Sequence, residues 1–205
     1  MLPEKTSVDK FFHTLFGGHD YIVAGDRFET EPKLMGNIVE EASQYAFPLY
    51  TVNPIHPSID FAYGYDPKKY EPNKPRRADL NCTSLKNLMF EIDGIPLDDQ
   101  LELLFRSGIP WTAIVFSGNK SYHAILSIED NLGEPHTQEG VEQYKQVWKR
   151  LAALINAEYA GKIVGLQDGV LDEATKNPSR FSRFPNYMRS GHLQRIEFMG
   201  TKCSM

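Results

Sequence analysis

Apolar positions recur along the chain with two different periods. Over residues 7–16 (SVDKFFHTLF) they fall at helical spacing and predict a short amphipathic helix. Residues 38–46 predict another, and Tyr50-Thr51-Val52 reads as a short strand. Residues 87–93 (NLMFEID) form a compact apolar strand that ends in acids. Asp98 and Asp99 follow, where early acids suit the positive end of a helix; Leu101, Leu104 and Phe105 repeat at helical spacing, and Ser107-Gly108 closes the element. Residues 112–116 (TAIVF) are β-branched and apolar, as in a buried strand. A turn over 117–120 leads into a second strand over 121–127, predicting a hairpin. The clearest helix is 138–157, with Val141, Tyr144, Val147, Trp148, Leu151 and Ile155 on one face. A last strand is expected over 194–199. Helices alternate with strands, yet hairpins are present, so the fold class reads as α+β (mixed α/β) with a partly antiparallel sheet.

Composition narrows the classes. The 205 residues are 41% hydrophobic and 24% charged, enough to bury a core and too apolar for wholesale disorder. No run approaches the roughly 20 apolar residues of a membrane span, so no membrane partner is expected. The first residues lack a basic start followed by an apolar stretch, so no secretory signal is expected. Cys82 and Cys203 are too few for a disulfide framework or a Cys-rich zinc site and read as reduced thiols of a cytoplasmic protein. The net charge is −5 and the pI about 5.7, unlike a generic nucleic-acid binder. Positive charge is instead local. From Ala174 to Arg195 stand Lys176, Arg180, Arg183, Arg189 and Arg195 with no acid, and residues 66–77, a Pro/Lys/Arg stretch ending in Arg76 and Arg77, read as an exposed loop or lobe boundary.

Three segments carry candidate chemistry. Glu91 and Asp93, two apart on a strand, project to one face, where repulsion between them is relieved by a cation. Taken alone, the pair is equally a strand end emerging into solvent. Ser117-Gly118-Asn119-Lys120 is a glycine turn whose N–H groups, hydroxyls and ammonium suit phosphate oxygens, with Ser121 and His123 following; no helix follows it, so it is not a P-loop. By itself it is also an ordinary hairpin turn with a partly buried histidine. The third segment is Leu171-Asp172, with Asp168 as a rival acid, followed by the arginine-rich stretch, in which Phe181, Phe184 and Tyr187 offer either base-stacking surfaces or core. His13, His19, His56, His136 and His192 show no ligand spacing, and Tyr144 and Trp148 read as core residues.

In combination the order and spacing resemble the catalytic core of archaeo-eukaryotic-type primases, nearest to the primase-polymerases of phages, plasmids and mobile elements. The resemblance runs from Glu91-Ile92-Asp93 through Leu97-Asp98-Asp99-Gln100 and Ser117–His123 to Asn177–Pro185, covering residues 85 to 200 well and the first 80 poorly. It implies a two-lobed catalytic core, with an N-terminal α/β lobe over 1–80 and an RRM-like sheet over 81–205 bearing all three motifs. It implies Glu91, Asp93 and Asp172 as catalytic ligands of two divalent ions, Mg²⁺ or Mn²⁺. A glutamate leads the first motif here where an aspartate is common. Ser117, Gly118, Lys120, His123, Arg180 and Arg183 are implied as nucleotide contacts, and Lys176, Arg189, Arg76 and Arg77 are expected to meet the nucleic acid. The implied activity is template-directed nucleotidyl transfer, making or extending primers from nucleoside triphosphates on a single-stranded DNA template, with a helicase or other replication protein as a further partner. A metal-dependent nuclease and a non-catalytic single-stranded nucleic-acid-binding replication module are the alternatives.

Overall fold

Two four-stranded sheets arise from two sets of short apolar runs. The structure is a computed structural model that describes residues 5–29, 31–42, 47–57, 77–160 and 170–204. Arg76, Asp168, most of the 66–77 stretch and the last residues of the helix expected over 38–46 lie outside the described residues. The elements run α1 (Lys5–Leu15), β1 (Tyr21–Gly25), β2 (Pro32–Leu34), α2 (Met35–Glu41), β3 (Leu49–Thr51), β4 (Asn87–Glu91), α3 (Leu97–Arg106), β5 (Ala113–Phe116), β6 (Tyr122–Ser127), α4 (Gln138–Ala160), β7 (Phe181–Arg183), β8 (Met188–Arg189), β9 (His192–Leu193) and β10 (Arg195–Met199). One sheet has the order β2-β1-β3-β7 and the other β10-β5-β6-β4, while β8 and β9 form a separate hairpin. The named strands pair antiparallel. The mixed α+β class expected from the pattern is the one observed.

The second sheet follows the β-α-β-β-α-β order of RRM-like folds. Strands β4, β5 and β6 alternate between two faces, and β10 carries a bulge between Ile196 and Phe198. Leu88, Phe90, Ile114, Phe116, Tyr122, Ala124 and Leu126 pack on α3 and α4, against Leu103, Leu104, Tyr144, Trp148, Ala152 and Ile155. The opposite face gives Ala113, Val115 and Ile125 to a second core built on Phe11, Phe12, Ile22, Ile38, Tyr50 and Phe184. Phe184, a possible base-stacking surface in the sequence, is 1% exposed and belongs to this core. The first sheet opens with β1 and is completed by β7, so residues after 180 return to pair with β3, Tyr50 opposite Ser182. Buried Asn53 ties the layers: its amide donates to the Asn87 and Pro178 carbonyls and accepts from the Lys86 and Asn87 N–H groups.

Strand β4 lies at a sheet edge, and an unpaired edge leaves carbonyls that need donors. Three successive outward carbonyls find them. Tyr144 Oη donates to Asn87 O (2.7 Å), Trp148 Nε1 to Met89 O (2.7 Å) and the Asp172 N–H to Glu91 O (2.9 Å). Tyr144 and Trp148 are therefore core residues, and they also seat β4 against α4. Among the described residues no helix is long and apolar enough to cross a membrane.

Candidate active site

The end of β4 gathers the acids. Ile92 and Leu171 form an antiparallel bridge, flanked by Asp172 N–H to Glu91 O and Asp93 N–H to Val170 O (3.1 Å). Residues opposite one another in such a ladder share a face, as do residues two apart on one strand. Glu91, Asp93 and Asp172 thus leave the backbone on one side, while Ile92 and Leu171 go to the helical core. Asp172 is held locally as well. Its Oδ1 accepts the Ala174 N–H (2.9 Å) and caps the short 3₁₀ turn Glu173–Lys176.

Asp93 and Asp172 each have a cationic partner. Lys120 Nζ stands 3.0 Å from Asp93, and Arg180 Nη2 3.2 Å from Asp172 Oδ2. Glu91 Oε1 accepts the Ser121 hydroxyl (2.8 Å) and lies 3.4 Å from His123 Nε2, an ion contact without hydrogen-bond geometry. Burial pushes the Glu91 carboxyl up, but His123, Ser121 and Arg183 together outweigh it and bring its pKa down to about 2. The side chains of Lys120 (67% exposed), Asp93 (39%) and Asp172 (31%) reach solvent; Glu91 (16%) and His123 (3%) scarcely do. Among the described residues no three His, Cys, Asp or Glu side chains are gathered as a metal site. The donor set is nonetheless hard oxygen presented on one face, the chemistry that suits Mg²⁺ or Mn²⁺. In donor chemistry these residues fit a divalent ion, once Lys120 and Arg180 release Asp93 and Asp172.

The turn that carries Lys120 is braced on every side. Gly118 takes φ +74°, and a Cβ there would stand 3.1 Å from both Arg189 Cβ and Gln194 Cγ on the β8–β9 side. Arg189 Nη1 donates to Ser117 O (3.3 Å). From α3, fully buried Gln100 donates to Lys120 O (2.8 Å) and accepts the Tyr122 N–H (3.1 Å). Ser117 and Ser121, possible phosphate donors in the sequence, are buried with their hydroxyls 3.0 Å apart. His123 Nδ1 lies 3.2 Å from Ser182 Oγ, joining the two sheets. Gln100 and Ser182 are site residues that the motif reading did not assign roles. A glutamine in a first helical turn and a serine between two basic residues carry no chemical signal until the chain is folded.

The basic residues divide. Arg183 has its guanidinium pKa lowered by burial first and then by the like charge of Arg189, with Glu91 opposing and Arg180 adding to the lowering. Its Nε is buried without a hydrogen-bond partner among the described residues. Arg180, Arg183 and Arg189 thus crowd one another beside the acids, a cationic cluster that an anion would relieve. Arg77 is half-buried, with its guanidinium 4.3 Å from the centre of the Phe181 ring and Nη1 donating to Ser179 O (3.1 Å). Lys176 pairs with Glu173 at 2.8 Å. These two hold local structure in the structure as it stands.

No protein-family model and no curated protein matches the chain. Among solved structures it is similar to the AEP domain of the primase-polymerase from cyanophage S-2L, with a TM-score of 0.62 at 16% identity, over 97% of this chain and 92% of that one. At that identity the likeness concerns the path of the backbone, and it spans both sheets, including the first 80 residues where the motifs are silent. The chain has the fold of an AEP-type primase-polymerase domain.

Proposed function

We propose that the chain is a template-directed nucleotidyltransferase that makes or extends primers from nucleoside triphosphates on single-stranded DNA. The observation that carries this reading is the antiparallel bridge that sets Asp172 across from Glu91, next to the turn bearing Lys120. It brings the distant Asp172 carboxylate to the Glu91–Asp93 end of β4, beside the braced loop that carries Lys120. Asp93 and Asp172, the more exposed pair, are the oxygen donors for divalent cations, with Glu91 beneath them. Such cations, when bound, neutralise charge on the attacking and leaving oxygens of an in-line displacement.

The chain's own groups supply the rest. The ammonium of Lys120 sits on a long exposed stem and exchanges Asp93 for the oxygens of a triphosphate. Arg180 moves likewise from Asp172, and Arg183, its guanidinium desolvated by burial, receives phosphate oxygens together with Arg189. Stabilisation of the departing pyrophosphate is electrostatic and preorganised, because Gln100 and Arg189 fix the turn before any ligand arrives. The chain's net charge of −5 is compatible with this, since acids concentrate at the reaction centre and arginines line its rim.

The test is incubation with a single-stranded DNA template, nucleoside triphosphates and Mn²⁺, with Asp93→Ala alongside. New labelled oligomers from the wild type and none from the variant support transfer. Loss of template without synthesis points to a nuclease, and template binding that Asp93→Ala leaves intact, with no synthesis, points to a non-catalytic binding module.

A further inference from the structure

Glu91 has surroundings that its two companions lack. The carboxylates of Asp93 and Asp172 face exposed cations that can leave. Glu91 Oε1 faces inward, onto the Ser121 hydroxyl and the His123 ring. Ser121 has a single hydroxyl proton, and the 2.8 Å contact gives it to the carboxylate. The Ser117 hydroxyl, 3.0 Å away, must then donate to Ser121, while Ser117 Oγ also accepts the Ser121 N–H (3.2 Å). The chain of bonds runs unbroken from β4 to the residue before Gly118. A second arm passes from His123 Nδ1 to Ser182 on β7. Ser117, Ser121, His123 and Ser182 are each 2% exposed or less, so a bound nucleotide meets none of them directly without opening the sheets.

Side-chain length fits this duty. Glu91 pairs with His123 in the strand register, and Ser121 lies two residues further along the partner strand, at a diagonal position. A glutamate spans that diagonal; an aspartate on the same Cα falls short by one carbon–carbon bond, about 1.5 Å.

We propose that Glu91 is a positioning residue that holds the Ser117–Lys120 turn in place for the triphosphate, leaving Asp93 and Asp172 as the carboxylates that carry divalent cations. This rests on the nucleotidyltransferase reading of the same site.

Two substitutions separate positioning from ligation because they cross. Glu91→Gln keeps length and an acceptor oxygen but is a poor metal ligand; Glu91→Asp keeps the charge but loses reach. Three measurements are made on the full chain: Mn²⁺ binding by electron paramagnetic resonance with the metal alone, KM and kcat for dATP on a single-stranded template, and hydrogen exchange at the Ser121 amide. For positioning, Glu91→Gln binds Mn²⁺ within about threefold of the wild type, while Asp93→Asn weakens it roughly tenfold or more. Glu91→Asp raises KM for dATP about tenfold with a smaller change in kcat and speeds Ser121 exchange by a similar factor, and Glu91→Gln restores both. The proposal is overturned if Glu91→Gln loses Mn²⁺ as Asp93→Asn does, or if Glu91→Asp matches the wild type. If the wild type neither binds Mn²⁺ nor makes product, the transferase reading fails. Ser121 exchange then decides the positioning role alone, and an unchanged rate in Glu91→Asp overturns it.

Discussion

Asp172 stands across from Glu91 on the outer edge of β4, its N–H bonded to the Glu91 carbonyl at 2.9 Å. The same edge is held two residues earlier by Trp148, whose indole N–H reaches Met89 O at 2.7 Å. Replacing Trp148 with Phe leaves that carbonyl buried without its donor. The expected loss is about 1–3 kcal/mol of folding stability, read as a lowered urea midpoint at unchanged slope. A midpoint equal to the wild type would show that the edge bond contributes nothing.

Lys120→Ala removes the most exposed cation beside the acids. Its bridge to Asp93 is solvent-screened, so stability should stay within about 0.5 kcal/mol of the wild type. Affinity for a nucleoside triphosphate should fall roughly tenfold to a hundredfold, the worth of one hydrogen bond to a charged group. Calorimetric titration with dATP checks both the direction and the size.

Gly118→Ala tests the brace on the turn. At φ +74° a Cβ costs about 1–2 kcal/mol in backbone strain alone, and it would also press on Arg189 and Gln194 at 3.1 Å. The expected phenotype is a lowered melting temperature together with weakened triphosphate binding. Lowered stability with binding intact would mean that the turn's shape does not govern the ligand.

Acid titration reads Glu91. Its folded pKa of about 2 lies below the ordinary 4.5, so its contribution is fully present above pH 4.5 and is lost as pH falls towards 2. The shift corresponds to something on the order of 3 kcal/mol. The stability gap between wild type and Glu91→Gln should therefore narrow between pH 5 and pH 3. Urea unfolding at several pH values checks this, and a gap independent of pH would contradict it.

Much of the frame was legible before folding, for definite reasons. The strands at 87–91, 113–116 and 122–127 and the helix at Gln138–Ala160 announce themselves through unbroken apolar runs or a clean 3.6-residue period. Strand β7 is three residues, FSR, inside a segment whose arginines dominate any local reading, and only its pairing with β3 makes it a strand. The motifs fixed which acids to watch. They could not show that Lys120 would sit on Asp93 and Arg180 on Asp172, nor that His123 would be sealed between two sheets, because these depend on which strands become neighbours. Arg77 illustrates the same limit. Nothing in the basic, proline-rich stretch around it signals that the fold lays the Arg77 guanidinium on Phe181, more than a hundred residues on.

The third acid owes its place to parity. Leu171 faces the helices because Ile92 does, and Asp172 faces the charged side because it is the next residue along. A displacement of this short segment by a single rung would deliver a carboxylate to the hydrocarbon around Trp148 and bring leucine out among the arginines. The convergence of the three acids can therefore be destroyed with every one of their side chains intact, simply by letting one strap slide past one strand.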